Sequence, residues 1–273
     1  MPSDHQQSEH SSSASFLKNV TKRLDEVRTA ISFFSRLPVY VRRPLSEQQY
    51  ADMFGASFWA SPVAGLAIGL LAVAVLWIAQ LSGVTSLVAI AIIAFGAAIT
   101  GGLHEDGLAD LIDACGGGTK QRRLEIMKDS RIGSFGVCAL ILWFLAAFAS
   151  LETFLAHPTA WLAILWTHVL SRGLLPLGIW AIPSASDSGL GRQAKKTRLW
   201  AVGIALVLSL AATLYAGYWL PLLVLILGQL ATYALAWRLV GGATGDVFGA
   251  AQKIGELSAY LAFAILLAPG VIG

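Results

Sequence analysis

The stretch that decides how this chain reads is Gly101–Gly136, GGLHEDGLADLIDACGGGTKQRRLEIMKDSRIGSFG. It is a polar island set between two long apolar runs. It holds six of the sixteen acidic residues: Glu105, Asp106, Asp110, Asp113, Glu125 and Asp129. Asp106, Asp110 and Asp113 are spaced i, i+4, i+7, so on a helix they share one face. Three carboxylates on one face repel each other, and a divalent cation removes that penalty. Hard oxygen ligands suit Mg²⁺, which also takes substrate phosphate oxygens. The island thus predicts a Mg²⁺ site for phosphoryl-group transfer. The plain alternative is a solvated acidic loop.

Outside the island the chain is strongly apolar. Of its 273 residues 56% are hydrophobic and only 13% charged, and its mean hydropathy is +0.68. A soluble domain carries roughly twice that charged fraction. The apolar residues come in blocks that match bilayer thickness. These features predict an all-α, polytopic membrane bundle with lipid as its surroundings, and they nearly exclude a water-soluble enzyme. A net charge of +3 gives no support for a nucleic-acid partner. Cys115 and Cys138 form no framework spacing, so a structural disulfide is not expected.

The expected organisation is a disordered, serine-rich tail over residues 1–15 and one integral-membrane domain over 16–273. Phe16, Leu17, Val20, Leu24, Val27, Ile31 and Phe34 recur at helical spacing among charged residues, the pattern of an amphipathic helix at the headgroups or against the bundle. About seven spans follow, at residues 55–81, 86–100, 135–155, 160–182, 199–216, 219–239 and 257–272. The second is short, so part of the Asp face is expected at membrane depth.

Seven spans sort the loops into two groups. One holds the N-terminal region with Arg42 and Arg43, the island, Pro183–Arg198 with Arg192, Lys195 and Lys196, and the glycine-rich Gly241–Glu256. That group carries every Lys and Arg except Arg172 and Arg238. Positive charge concentrates on the cytoplasmic side. The N-terminus and both polar motifs are therefore expected in the cytoplasm and the C-terminus outside. The sequence leaves the oligomeric state open, a homo-oligomer included.

Phosphoryl transfer is mainly positioning plus charge neutralisation. Asp106, Asp110 and Asp113 supply the acidic face. Arg122, Arg123, Lys128 and Arg131 follow a Gly116–Gly118 break that lets the chain fold back. Asp246 is a candidate metal ligand from the other end of the chain, or else a helix N-cap. Glu105 or His104 is a candidate general base. His168 and Arg172 share a helix face, and Arg172 is expected to meet substrate or a carboxylate.

Asp clusters with Mg²⁺ also occur in other membrane alcohol phosphotransferases and in prenyltransferases, so the spacing alone leaves these open. Longer strings separate them. Gly101–Asp110, Ile126–Gly133 and Gly241–Asp246 together closely resemble the cobalamin synthase family, adenosylcobinamide-GDP ribazoletransferase, and Ser35-Arg36-Leu37-Pro38-Val39 looks like its N-terminal signature. The resemblance covers about residues 27–268. It departs at Asp113-Ala114-Cys115, where the family commonly has Asp-Gly.

The resemblance implies transfer from adenosylcobinamide-GDP to α-ribazole or its 5′-phosphate, with Mg²⁺ and release of GMP, at the bacterial inner membrane. It adds Asp129, Ser130 and Thr244 to the candidates. The expected catalytic set is then Glu105, Asp106, Asp110, Lys128, Asp129 and Arg131. The substrate set is His104, Arg122, Arg123, Ser130, Arg172 and Thr244, and the metal set Asp106, Asp110, Asp113 and Asp246. A CDP-alcohol phosphotransferase is the alternative enzyme. A transporter is the alternative of another class, disfavoured because no internal repeat is visible.

Overall fold

A computed structural model describes residues 4–41, 44–185 and 196–268, with side chains from residue 15. Arg42, Arg43, Arg192, Lys195 and the expected end of the last span beyond 268 lie outside the described residues. Among those described, every regular element is helical. In chain order they are α1 Asp4–Phe34, α2 Glu47–Ser57, α3 Ser61–Gln80, α4 Thr85–Thr100, α5 Leu103–Asp113 and α6 Lys120–Ile126. Then come α7 Ser134–Phe154, α8 Ala160–Gly173, α9 Leu175–Ala181, α10 Leu199–Ala216, α11 Trp219–Val240 and α12 Gly245–Leu266.

Five helical segments are long and apolar enough to cross a membrane: Glu47–Gln80, Ser134–Phe154, Ala160–Ala181, Leu199–Ala216 and Trp219–Val240. Their outer faces expose Leu70, Leu142, Val207 and Leu223, the apolar exterior that a bilayer requires. The sixth candidate is broken. Gly101 and Gly102 take left-handed φ angles of 66° and 73°, which only glycine adopts freely, and α5 leaves α4 at 89°. Helix α4 alone has 16 residues, about 24 Å against a hydrocarbon core of about 30 Å.

The last expected span is not a short helix after a polar loop. Helix α12 starts at Gly245 and runs unbroken for 22 residues. The Thr244 hydroxyl accepts from the Val247 N–H at 3.4 Å as its N-cap. The helix thus takes in Gln252, Lys253 and Glu256, and it packs against α5, α7, α8, α9 and α11 at the centre of the bundle. Helix α1 likewise begins at Asp4, inside the stretch that composition assigned to a disordered tail. A formed helix extends at little cost per residue. Its later turns dock on the bundle, where Glu26 accepts from the Trp59 indole N–H at 2.7 Å. Phe16 and Leu17 stay exposed on its outer side.

The polar segments meet at one end of the bundle. The Arg36 N–H donates to Ile99 O at 2.7 Å, joining the end of α1 to the end of α4. Lys196 pairs with Asp52 at 3.0 Å. Ala185 N–H donates to Ala243 O and Ala243 N–H to Pro183 O, both at 2.9 Å. At the opposite end Ser86 donates to Glu152, and the rings of Tyr218 and Phe263 stack edge-on at 4.7 Å.

Candidate active site

Helix α5 lies across helix α12 at its N-terminal end, and glycine makes the crossing close. A Cβ on Gly107 would stand 2.6 Å from the Asp246 carbonyl oxygen. Opposite it, a Cβ on Gly249 would stand 3.4 Å from the Cα of His104. No side chain separates the two backbones. The crossing sets Asp246 beside Asp106 and Asp110, although the sequence holds them far apart.

These carboxylates feel each other. Helix α5 has 11 residues and turns off the line of α4, so it lies outside the spanning segments. Burial pushes the Asp110 carboxyl up to about 7, with help from the charges of Asp106, Asp246 and Asp113. Asp106 is exposed and Asp110 half-buried. Asp246 takes a hydrogen bond from the Thr244 hydroxyl at 3.1 Å.

Asp113 is not a free member of the face. Its two oxygens accept from the backbone N–H groups of Gly133 at 2.7 Å and Gly136 at 2.8 Å. Those are the N-cap and third-residue amides of α7, left without intrahelical partners, and a carboxylate there suits the helix dipole. A Cβ on either glycine would run into the carboxylate. Asp113, expected as a metal ligand, has both its oxygens engaged in holding the start of α7. The departure to Ala114-Cys115 costs nothing locally, because Ala114–Gly116 continues as a short 3₁₀ turn.

Glu105 faces away from the Asp row. Its side chain is buried on the α12 side, with Oε1 at 3.1 Å from the Lys253 ammonium. Lys253 also pairs with Glu256 at 3.2 Å and sits 3.5 Å over the Trp143 ring. Glu256 in turn lies 4.0 Å from the buried guanidinium of Arg172 and accepts from Gln252 at 2.6 Å. Arg172 Nη1 is 3.2 Å from His168 Nδ1. Two acids and two bases make this interior network neutral, which is how buried charge is tolerated. Glu105, expected as a general base, is placed as an anchor that fixes α5 on α12. The carboxylate contact expected of Arg172 is present, with Glu256 as its partner. Lys253 and Glu256 were visible as charges one helical turn apart, yet they fell in a stretch read as loop.

His104 lines an apolar cleft and stacks on Phe34 with planes 1° apart and centroids at 6.0 Å. Phe33, Phe54, Phe58, Leu175, Ile179 and Phe248 line the same cleft, and Asp106 and Asp246 stand at it. Burial, then the charges of Arg172 and Lys253, holds the His104 imidazole well below its usual range, so it is neutral. The four phenylalanines from α1, α2 and the following 3₁₀ turn were not singled out from sequence as a group. Only the fold brings them to the carboxylates.

The basic candidates sort differently. Arg123 donates to Gly117 O at 2.8 Å and to Leu239 O at 3.0 Å, tying the island to the C-terminal end of α11. These two contacts make it a structural staple between the island and α11. Arg122 pairs with Glu125 at 3.1 Å on the surface. Arg131 and Asp129 close on each other, with contacts of 2.7 and 3.0 Å, in the exposed turn between α6 and α7. That bonding pulls the Asp129 carboxyl down to about 2. Lys128 and Ser130 are exposed in the same turn. None of Arg122, Arg123, Lys128, Asp129, Ser130 and Arg131 has a contact with Asp106, Asp110 or Asp246 among the described residues.

A Mg²⁺ ion is what the donor chemistry fits. Among the described residues no three His, Cys, Asp or Glu side chains form a ready-made metal cage. Mg²⁺ does not need one, since it binds through one or two carboxylates and completes its shell with water and phosphate oxygens. Asp106, Asp110 and Asp246 are hard oxygen donors with no cation paired to them among the described contacts. Cys115 and Cys138 are free and exposed, and they are not part of this set.

Over residues 26–264 the chain matches the family described as cobalamin-5-phosphate synthase. It is 41% identical over 239 residues to the adenosylcobinamide-GDP ribazoletransferase of Bradyrhizobium diazoefficiens, covering 85% of this chain and 90% of that one. The protein of the same name from Azorhizobium caulinodans is 40% identical over 259 residues, covering 90% and 97%. That from Vibrio parahaemolyticus is 37% identical over 239 residues, covering 85% and 89%. No solved structure matches.

Proposed function

The chain belongs to the cobalamin-5-phosphate synthase family and is a transferase of cobalamin synthesis, and from that premise we propose its reaction. The substrates are adenosylcobinamide-GDP and α-ribazole or its 5′-phosphate. A ribose hydroxyl oxygen attacks the phosphorus that carries the cobinamide. A new P–O bond forms, the bridging P–O bond breaks, and GMP leaves. The products are adenosylcobalamin, or its 5′-phosphate, and GMP.

The observation that carries this reading is the α5–α12 crossing, which sets Asp106, Asp110 and Asp246 together with no cation among the described residues paired to them. A diphosphate is the group such a site is short of, bound through Mg²⁺. The metal, when bound, would neutralise phosphate charge. Asp106, Asp110 and Asp246 are the residues that would hold it. His104, in the same cleft, is the candidate to take the proton of the attacking hydroxyl. The site lies at the polar end of the bundle, and the concentration of Lys and Arg there supports a cytoplasmic-facing site, at the bacterial inner membrane on this reading.

The test is GMP release by purified protein in nanodiscs, given adenosylcobinamide-GDP, α-ribazole and Mg²⁺. Release matched by a new corrinoid product, and stopped by EDTA, is expected. Release that needs no divalent metal contradicts the site, and no release from folded protein contradicts the substrates. CDP-alcohols are then the next substrates to test.

A further inference from the structure

A recess of about 680 Å³ opens between the middle of α1, helix α2 and the start of α10. Met53 and Ala56 line it, whereas Phe54 and Phe58 line the cleft at Asp106 and Asp246, so the recess and the acidic site lie on opposite faces of the α2 segment. Four cations line the recess: Lys18, Lys22 and Arg23 from α1 and Arg198 from the start of α10. Its two carboxylates are already engaged. Glu26 holds Arg23 at 2.7 Å, and Asp52 holds Lys196 at 3.0 Å. Lys18, Lys22 and Arg198 are exposed and pair with no carboxylate among the described residues. Cations gathered around one recess repel each other, so the recess is short of an anion.

The recess also sits where the apolar exterior begins. Helix α10 is long and apolar enough to span, and it starts at Leu199, the residue after Arg198. Leu199 is 64% exposed, and Val207 and Leu208 further along the helix are exposed too. Trp200 lines the recess one residue inside the span, and the Arg23 guanidinium lies 4.6 Å over its ring, tying α1 to α10. An indole at the end of a span marks the headgroup level. We infer that this recess binds the headgroup of an anionic phospholipid, its phosphate among Lys18, Lys22 and Arg198 and its acyl chains along the outer face of α10. Each half of such a lipid answers one half of the surface: the phosphate meets the cations, and the chains cover the apolar face beside them. A soluble phosphate would answer only the first. A zwitterionic lipid would bring a cation of its own into a cationic recess. Basic side chains at headgroup depth select anionic lipid for this reason.

The experiment is native mass spectrometry of the full chain released from mixed micelles holding phosphatidylglycerol and phosphatidylcholine, without corrinoid or nucleotide. Wild type is expected to retain one phosphatidylglycerol in preference to phosphatidylcholine. Arg198→Ala and the double variant Lys18→Ala/Lys22→Ala are expected to weaken that retention about fivefold for each cation removed. Lys22→Arg keeps the charge and is expected to keep the lipid, as is Lys120→Ala, which removes an exposed lysine on α6. Glycerophosphoglycerol, the same headgroup without acyl chains, is not expected to displace the lipid, and neither is inorganic phosphate. Equal retention of the two lipids by wild type overturns the inference, and that comparison depends on no variant folding. Retention unchanged in both Ala variants overturns it as well. Displacement by glycerophosphoglycerol or inorganic phosphate overturns it in favour of a soluble-anion site. The reaction proposed above plays no part in this measurement, so the two stand or fall separately.

Discussion

Gly107→Ala adds one methyl group and tests whether the α5–α12 crossing builds the site. The new Cβ would lie 2.6 Å from Asp246 O and 3.0 Å from Asp246 Cα. Ordinary contact begins near 3.4 Å, so the helices must part by about 0.8 Å at that point. The obstacle is backbone, which cannot swing aside as a side chain does. Helix propensity pulls the other way, since alanine is better than glycine inside a helix by about 0.5–1 kcal/mol. Stability is therefore expected to change little. Turnover is expected to fall, because a misplacement of about 1 Å at reacting groups costs on the order of 10²-fold. The assay is GMP release, with the thermal midpoint measured alongside. Gly96→Ala is the control, since a Cβ there meets nothing within 4 Å. Wild-type turnover in Gly107→Ala would refute the reasoning. So would an equal loss in Gly96→Ala.

Three further outcomes follow from the same geometry. Asp113→Asn replaces one of the two oxygens on the α7 amides with an NH₂ group, so stability is expected to fall by about 1–3 kcal/mol in urea unfolding while metal affinity is retained; lost metal affinity with stability intact would return Asp113 to the ligand set. Lys253→Met leaves the buried carboxylates of Glu105 and Glu256 without their shared cation, and a stability loss of about 3–5 kcal/mol is expected, read as a lowered thermal midpoint, against no loss if the network is open to water. The third concerns pH. Asp110 keeps its proton to about 7 when folded but ionises nearer 4 when unfolded, so metal-free stability falls as pH rises between those values. Mg²⁺ binds the ionised form, so its stabilising effect is expected to be larger at about pH 8 than at about pH 5; an effect independent of pH would detach Asp110 from the metal.

The bundle was legible because apolar runs of bilayer length and the one-sided placement of Lys and Arg each carry their own physics. The Asp106–Asp110 face was legible for the same kind of reason, a helical period. What the period did not show is where each face points. Asp113 satisfies the row by spacing but meets Gly133 and Gly136, and such a contact is written in two places in the chain at once. Gly133-x-x-Gly136 is the trace it left, with room for a carboxylate and no side chain to refuse it. Glu105 stands next to Asp106 in sequence, and one residue of helical rotation separates an acid facing the cleft from one buried against Lys253. The stretch 245–256 was misread as loop because its glycines and charges resemble one. Gly249 serves close packing, and Lys253 and Glu256 are paired inside the protein. The phenylalanine cluster left no sequence signal, since buried aromatics at helical spacing look the same whether they fill a core or line a cleft.

The claim on which the rest depends is that carboxylates from α5 and α12 hold one metal between them. Mn²⁺ in place of Mg²⁺ measures this directly, by the loss of the free-ion electron paramagnetic resonance signal on titration into the metal-free protein. The expected result is a saturable site weakened at least about tenfold by Asp106→Asn, Asp110→Asn and Asp246→Asn alike. Wild-type Mn²⁺ affinity in Asp246→Asn would contradict the account, because the site would then belong to α5 alone.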